Sequence, residues 1–308
     1  MTSQSEVSVE MPATAPASIP ISRLFYWSVR RELWENRSIY TAPLIAAAVV
    51  LFAFLLSTVT SSIHMEITTD DGTRHKFVFV ELFAITAAVI TTTMIIVAVF
   101  YCLGALHGER RDRSILFWKS LPVSDLTTVL SKAIIPFVII PPIAFAVIVA
   151  LQLILLVALG FSRGSEMTAS WTLVSLAQHW MTLLYGLVAI ALWYAPIYGW
   201  LLLVSGWARR ATFLWAVLPP AGLCVIEAIA LRSRYVYDML RYRLGGVYIE
   251  AFDASTPDES MSDHGILGPL RQMDLVKFLS SPGLWIGLVV CAVFLAAAIW
   301  LRRYREPI

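Results

Sequence analysis

The chain has 308 residues, 58% of them hydrophobic and only 14% charged, with a formal net charge of +2. A soluble domain averages about 45–50% apolar and about 25% charged residues, and the excess here lies in uninterrupted apolar windows, which assigns the chain to the integral membrane proteins. So small a net charge, divided among short loops, excludes a nucleic-acid-binding surface.

Residues 1–20 are rich in Ser, Thr, Pro and Ala, with no basic stretch ahead of an apolar run. They are expected to be a disordered cytoplasmic lead-in, not a cleavable signal. Residues 21–38, within ISRLFYWSVRRELWENRSIY, place Leu24, Trp27 and Arg31 at helical spacing, and likewise Phe25, Val29 and Leu33. Leu33 and Trp34 continue an apolar face opposite Arg30, Glu32 and Glu35. The pattern predicts an amphipathic helix lying in the membrane interface, with Arg23 near its start; the alternative is a plain cytoplasmic extension of the first span.

A membrane span needs about 20 apolar residues to cross about 30 Å of hydrocarbon. Six stretches meet that length, at about 39–58, 82–106, 134–160, 180–205, 211–231 and 283–301. Pro136, Pro141 and Pro142 predict a kink near the entrance of the third, and Pro219-Pro220 a break in the fifth. With the N-terminus inside, 14 of the 23 Lys and Arg residues fall in inside segments. Six of the other nine lie in the long 232–282 loop, which carries least weight in the positive-inside rule. Both termini are therefore expected to be cytoplasmic.

Between spans two and three stands GERRDRSILFWKSLPVSD, Gly108 to Asp125. Residues 112–121 suit a short helix, with Glu109 and Asp112 favourably placed at its positive end. Pro122 ends it, and Ser124 or Asp125 caps the next helix. Ile115, Phe117, Trp118 and Leu121 make an apolar knob, which either lies on lipid or inserts into a protein partner. The 232–282 loop predicts one short amphipathic helix ended by Gly245-Gly246, a turn-rich stretch, and a second helix from about 268 into the last span.

Convergent catalytic groups are not found. Cys102, Cys224 and Cys291 lie inside apolar runs with neither metal-ligand spacing nor a disulfide framework. The five histidines fall in loops or at span ends, without ligand spacing. No nucleophile elbow and no phosphate-binding glycine loop occurs, so the chain by itself is expected to hydrolyse no nucleotide. The spans are almost free of charge, which argues against ion coupling. Glu227, near the outer end of span five, either pairs with Arg232 or Arg234 or faces a substrate. Thr91, Thr92 and Thr93 either bond back to their own helix or line a cavity, and Trp193 and Tyr194 either pack between helices or do the same.

The sequence resembles the permease subunits of type-2 ATP-binding-cassette (ABC) transporters over essentially residues 21–305. The resemblance rests chiefly on ERRDRSILFWKSLPVSDLTTVLSKA, supported by VRRELWENRSIYTAP and by LWYAPIYGWLLLVSGWARRATFLWAVLPP. It implies an all-α integral membrane protein of six transmembrane helices in a bacterial inner membrane, with residues 39–308 as the permease domain. It also implies a coupling helix between spans two and three that docks on a separate ATPase, carried here by Glu109, Arg110, Arg111, Asp112, Phe117, Trp118, Lys119 and Pro122. The interfacial helix, with Arg23, Trp27, Arg30, Arg31 and Trp34, would touch the same ATPase. Spans two and five would line a pathway between two paired permeases, and the outer loop before span six would be partly re-entrant. The chain itself would bind no cofactor, since ATP and Mg²⁺ belong to an ATPase expected in two copies. The function implied is ATP-driven export of an amphipathic lipid, drug or peptide by alternating access; the alternative is a non-transporting membrane scaffold or signalling partner of an ATPase.

Overall fold

The computed structural model describes residues 20–64, 72–111, 124–163, 173–251 and 274–304, and every regular element within them is helical. Six helical runs are long and apolar enough to cross a membrane: Ser38–Thr58, Leu82–Glu109, Asp125–Gly160, Val174–Trp193, Thr212–Leu231 and Pro282–Tyr304. The chain is thus an all-helical, multi-pass membrane protein, as its hydropathy requires. The N-terminal lead-in and the turn-rich stretch of the late loop fall outside the described residues.

Helix α1 (Ile21–Glu35) is separated from α2 (Ser38–His64) by a short turn. Asn36 makes that turn by donating both its backbone N–H and its Nδ2 to the Glu32 carbonyl, each at 3.0 Å. Span two is α3 (Gly72–Ala105), continued by the short α4 (His107–Arg111). Helix α5 (Asp125–Ile134) runs through a π-helical turn, Ile135–Ile139, into α6 (Ile140–Arg163). The expected irregularity of span three is this turn. Pro136 supplies no N–H to the Lys132 carbonyl four residues back, and that carbonyl accepts the Ile135 N–H instead.

Span four is not the single run 180–205 expected. It consists of α7 (Leu173–Trp193) and α8 (Ala195–Trp207), interrupted at Tyr194. Pro196 sits at the second position of α8, where a missing N–H is harmless. Span five corrects the expectation the other way. Helix α9 (Thr212–Ile226) continues through Pro219 and Pro220 and changes only at a π-helical turn, Glu227–Leu231. A proline at 220 leaves the Ala216 carbonyl without its helical donor, and the Trp200 indole of α8 donates to that oxygen at 3.0 Å. The late loop contributes α10 (Tyr235–Gly245), α11 (Val247–Ala251) and α12 (Leu275–Ser280), and the last span is α13 (Pro282–Tyr304).

The apolar core is built from one face each of α3, α6 and α8, with Ile90, Met94, Ala98, Ile148, Leu155 and Leu202 essentially inaccessible. Helices α8 and α13 approach closely at Gly199, where a Cβ would meet Cys291 Sγ at 3.1 Å and its Cα at 3.2 Å. Spans one and five turn most of their side chains outward, as apolar surface facing lipid does. The bundle has two distinct ends. One gathers α1, α4, the start of α5 and the end of α13; the other carries α10, α11 and α12 as a lid.

Candidate functional site

At the α1 end the structure assembles a buried network of ions from four separate elements. Helix α1 supplies Arg31 and Glu32, α4 supplies Glu109, α5 supplies Asp125 and Lys132, and the last turn of α13 supplies Arg302. Glu109 is the centre. Its Oε1 accepts from Lys132 Nζ at 3.1 Å and Arg31 Nη2 at 3.2 Å, and its Oε2 from Arg302 Nη1 at 2.6 Å. Lys132 Nζ also reaches Glu32 Oε1 at 2.7 Å, and Arg302 Nε reaches Asp125 Oδ1 at 2.9 Å. Tyr101 donates its hydroxyl to Glu32 Oε2 at 3.0 Å. Glu35, exposed, forms the outermost pair with Arg31 Nε at 2.8 Å.

Local structure delivers each group. Ser124 caps α5 by accepting from the Thr127 N–H at 3.1 Å, which leaves Asp125 in the first turn free to meet Arg302. Lys132 follows two turns later on the same side. Helix α4 is held by Ser205 of α8, whose Oγ accepts the Leu106 N–H at 3.0 Å and the His107 N–H at 2.9 Å. Glu32, Glu109, Lys132 and Arg302 are all buried. Three carboxylates at Glu32, Glu109 and Asp125 face three cations at Arg31, Lys132 and Arg302, so the interior of the network is neutral. That balance is what makes it tolerable, because an uncompensated ion left in a buried site costs about 3–5 kcal/mol.

Sequence reasoning found Glu109 and Arg31 but not the network. Glu32, expected on an outward polar face of α1, is turned inward. Trp27 and Trp34, expected on the face turned to the membrane interface, are exposed, with the Arg30 guanidinium 5.1 Å from one ring and 4.7 Å from the other. The face of α1 that packs against the core carries Val29 and Leu33, and Arg23 is exposed. Arg110 and Arg111 end α4; Asp112, Phe117, Trp118, Lys119 and Pro122 lie outside the described residues.

The mid-span residues serve the lid. Trp193 is fully buried and donates Nε1–H to the Arg243 carbonyl at 3.0 Å, while the Tyr194 hydroxyl donates to the Leu244 carbonyl at 2.8 Å. Both oxygens belong to the last turn of α10, where backbone carbonyls lack helical partners. Glu227 holds the other end of the same helix. Its Oε1 accepts from Ser233 Oγ and the Tyr235 N–H, and its Oε2 from the Val236 N–H, each at 2.7 Å. The expected pairing with Arg232 or Arg234 is replaced by this cap, because the chain turns back at Arg232 with a left-handed φ of 50°. Thr93 donates to the Val89 carbonyl of its own helix at 2.8 Å, Thr91 is half-buried and Thr92 is exposed.

His179, expected at a span end, lies within α7. There its Nε2 is 3.3 Å from Gln152 Nε2, and Gln152 Oε1 accepts from Trp180 Nε1 at 3.1 Å, tying α6 to α7. Compared with known proteins, the chain matches no family model, no curated protein and no solved structure.

Proposed function

We propose that this chain is the membrane-spanning permease subunit of an ATP-driven exporter of the type-2 ABC kind. It would lie in a bacterial inner membrane with both termini cytoplasmic, paired with a second permease and with separate ATPase subunits, and would move an amphipathic lipid, drug or peptide. The observation that carries this reading is the way the buried ions join the helices on either side of the segment between spans two and three. Glu109 stands just before residues 112–123 and Asp125 just after, and the single guanidinium of Arg302 bonds to both. Lys132 and Arg31 extend the same connection to α1.

A force applied to that segment by a partner would therefore reach α1, α3, α5 and α13 together. Bending at the root of the segment would separate buried opposite charges, which is costly, so displacement of the whole end as one body is the cheaper response. Phe117 and Trp118, the two large aromatics of the segment, would anchor it in the ATPase, and Arg110, Arg111 and Arg113 would orient the approach to acidic groups there.

The test is a search for an ATPase reading frame beside this gene and co-purification of its product with this chain, followed by reconstitution in vesicles. Phe117→Ala with Trp118→Ala should abolish association or the stimulation of ATP hydrolysis while leaving membrane insertion intact. A double variant that binds and stimulates like the wild type would overturn the coupling assignment. ATP turnover that moves no amphipathic solute in vesicles would replace export with the scaffold role.

A further inference from the structure

The lid contains a cation whose best hydrogen-bonding edge is empty. Arg243, in the last turn of α10, sends its guanidinium against the start of α13. Its Nη1 donates to the Gly283 carbonyl at 3.0 Å, and its carbon lies 4.6 Å from the centre of the Trp193 ring. Gly287 makes room for it, since a Cβ at 287 would coincide with Nη2. Both Nε and Nη2 are buried and neither has an acceptor. The neighbouring carboxylate, Glu250, accepts the Tyr242 hydroxyl at 2.7 Å, and among the described residues no carboxylate pairs with Arg243.

The two vacant nitrogens are not an arbitrary pair. Nε–H and one Nη–H point the same way along the side of a guanidinium, with the spacing of two oxygens on one carboxylate or phosphate. Elsewhere in this chain the buried cations Lys132 and Arg302 are each matched to carboxylates. Among the described residues Arg243 has only a neutral carbonyl and an aromatic face.

We propose that the Nε/Nη2 edge of Arg243 is an anion site that takes two oxygens of a phosphate-type group, here in its closed form between α10 and α13. The surroundings favour the headgroup of an anionic amphipath over free phosphate. Arg232, Arg234, Tyr235 and Tyr237 are exposed along the approach to and first turn of α10, at one end of a bundle of apolar spans. Arginine and tyrosine at such a level meet lipid headgroups. Occupancy requires α10 to lift from Gly287 by about the width of an oxygen; the glycine leaves the vacated space to the anion, whereas a methyl group there would fill it. The inference stands independently of any ATPase partner.

The experiment uses the full chain in phosphatidylcholine nanodiscs, titrated with phosphatidylglycerol or with inorganic phosphate, and reads thermal unfolding by tryptophan fluorescence. Phosphatidylglycerol is expected to raise the midpoint in the wild type and in Arg241→Gln, an exposed control on the same helix. Arg243→Gln and Arg243→Lys, the latter keeping charge without the edge, should weaken the response about tenfold, as loss of a two-point charged contact does. Gly287→Ala should do the same with the arginine still present, and covers the case in which the Arg243 variants fail to fold. An Arg243-dependent response to inorganic phosphate alone supports the anion site and assigns it to free anions. No Arg243-dependent response to either probe, or a full response in Arg243→Lys, overturns the proposal.

Discussion

Glu109→Gln tests the ion network most directly. Glutamine keeps the shape of the side chain but removes the charge that faces Lys132 at 3.1 Å, Arg31 at 3.2 Å and Arg302 at 2.6 Å. Three cations then face two carboxylates in a buried site. Lys132 retains Glu32 at 2.7 Å and Arg302 retains Asp125 at 2.9 Å, so no cation is wholly stripped. The expected loss is therefore about 3 kcal/mol, the lower end of what breaking a buried pair costs. Glu35→Gln removes the exposed pair with Arg31 and should cost no more than about 1 kcal/mol. Lys132→Met added to Glu109→Gln restores neutrality, so the double variant should cost about 1–2 kcal/mol less than the sum of the single changes. Unfolding in mixed micelles with increasing dodecyl sulfate, followed by tryptophan fluorescence, measures all four chains. Equal stability of Glu109→Gln and Glu35→Gln, or strict additivity in the double variant, would refute the network as a coupled unit.

Three further outcomes follow from the fold. Glu227→Gln leaves one acceptor and introduces a donor opposite Ser233, Tyr235 and Val236, at a cost of about 1–3 kcal/mol. Limited proteolysis should cut sooner around α10, whereas Arg232→Ala and Arg234→Ala leave the pattern unchanged; protection lost equally in the arginine variants would contradict the cap. Trp200→Phe deprives the Ala216 carbonyl of its donor and should destabilise by about 1–2 kcal/mol, but less in a Pro220→Ala background, where a backbone N–H returns; the same dodecyl sulfate titration compares the two. The Tyr242 hydroxyl is pushed up to about 12 by burial and by the bond to Glu250. Because its folded value lies above the ordinary value near 10, its stabilising contribution is complete below pH of about 10 and is lost as pH rises toward about 12. Hydrogen exchange of α10 should rise across that window in the wild type, and Tyr242→Phe should flatten the change.

The spans were legible because hydropathy is additive along a window, and insertion responds to that sum. The Ser124 cap was legible for a similar reason, since a cap needs only the few residues that follow it. Trp193 and Tyr194 stood out as polar-tipped aromatics within an apolar span. Their partners did not, because the Arg243 and Leu244 carbonyls lie about 50 residues away in sequence. The prolines misled in one direction: Pro219-Pro220 suggested a break, but a neighbouring helix can supply the missing donor, and no local rule contains the indole of Trp200. Glu32 misled in the other, since helical periodicity places a charge outward unless something inside is there to neutralise it.

By itself the sequence determined that this chain is apolar enough to cross a membrane six times, about where most of those crossings lie, though not the fourth, and that a charged segment separates the second from the third. Those are consequences of composition over short distances. Tertiary structure alone decided that Glu109 meets Arg302, 193 residues further on, that Glu32 turns inward to Lys132, and that Glu227 caps a lid helix instead of pairing with an arginine. Each of these depends on which side chains share a buried space. Where water is excluded, a charge is stable only beside its opposite, so the packing of helices, and not the order of residues, selects the partner.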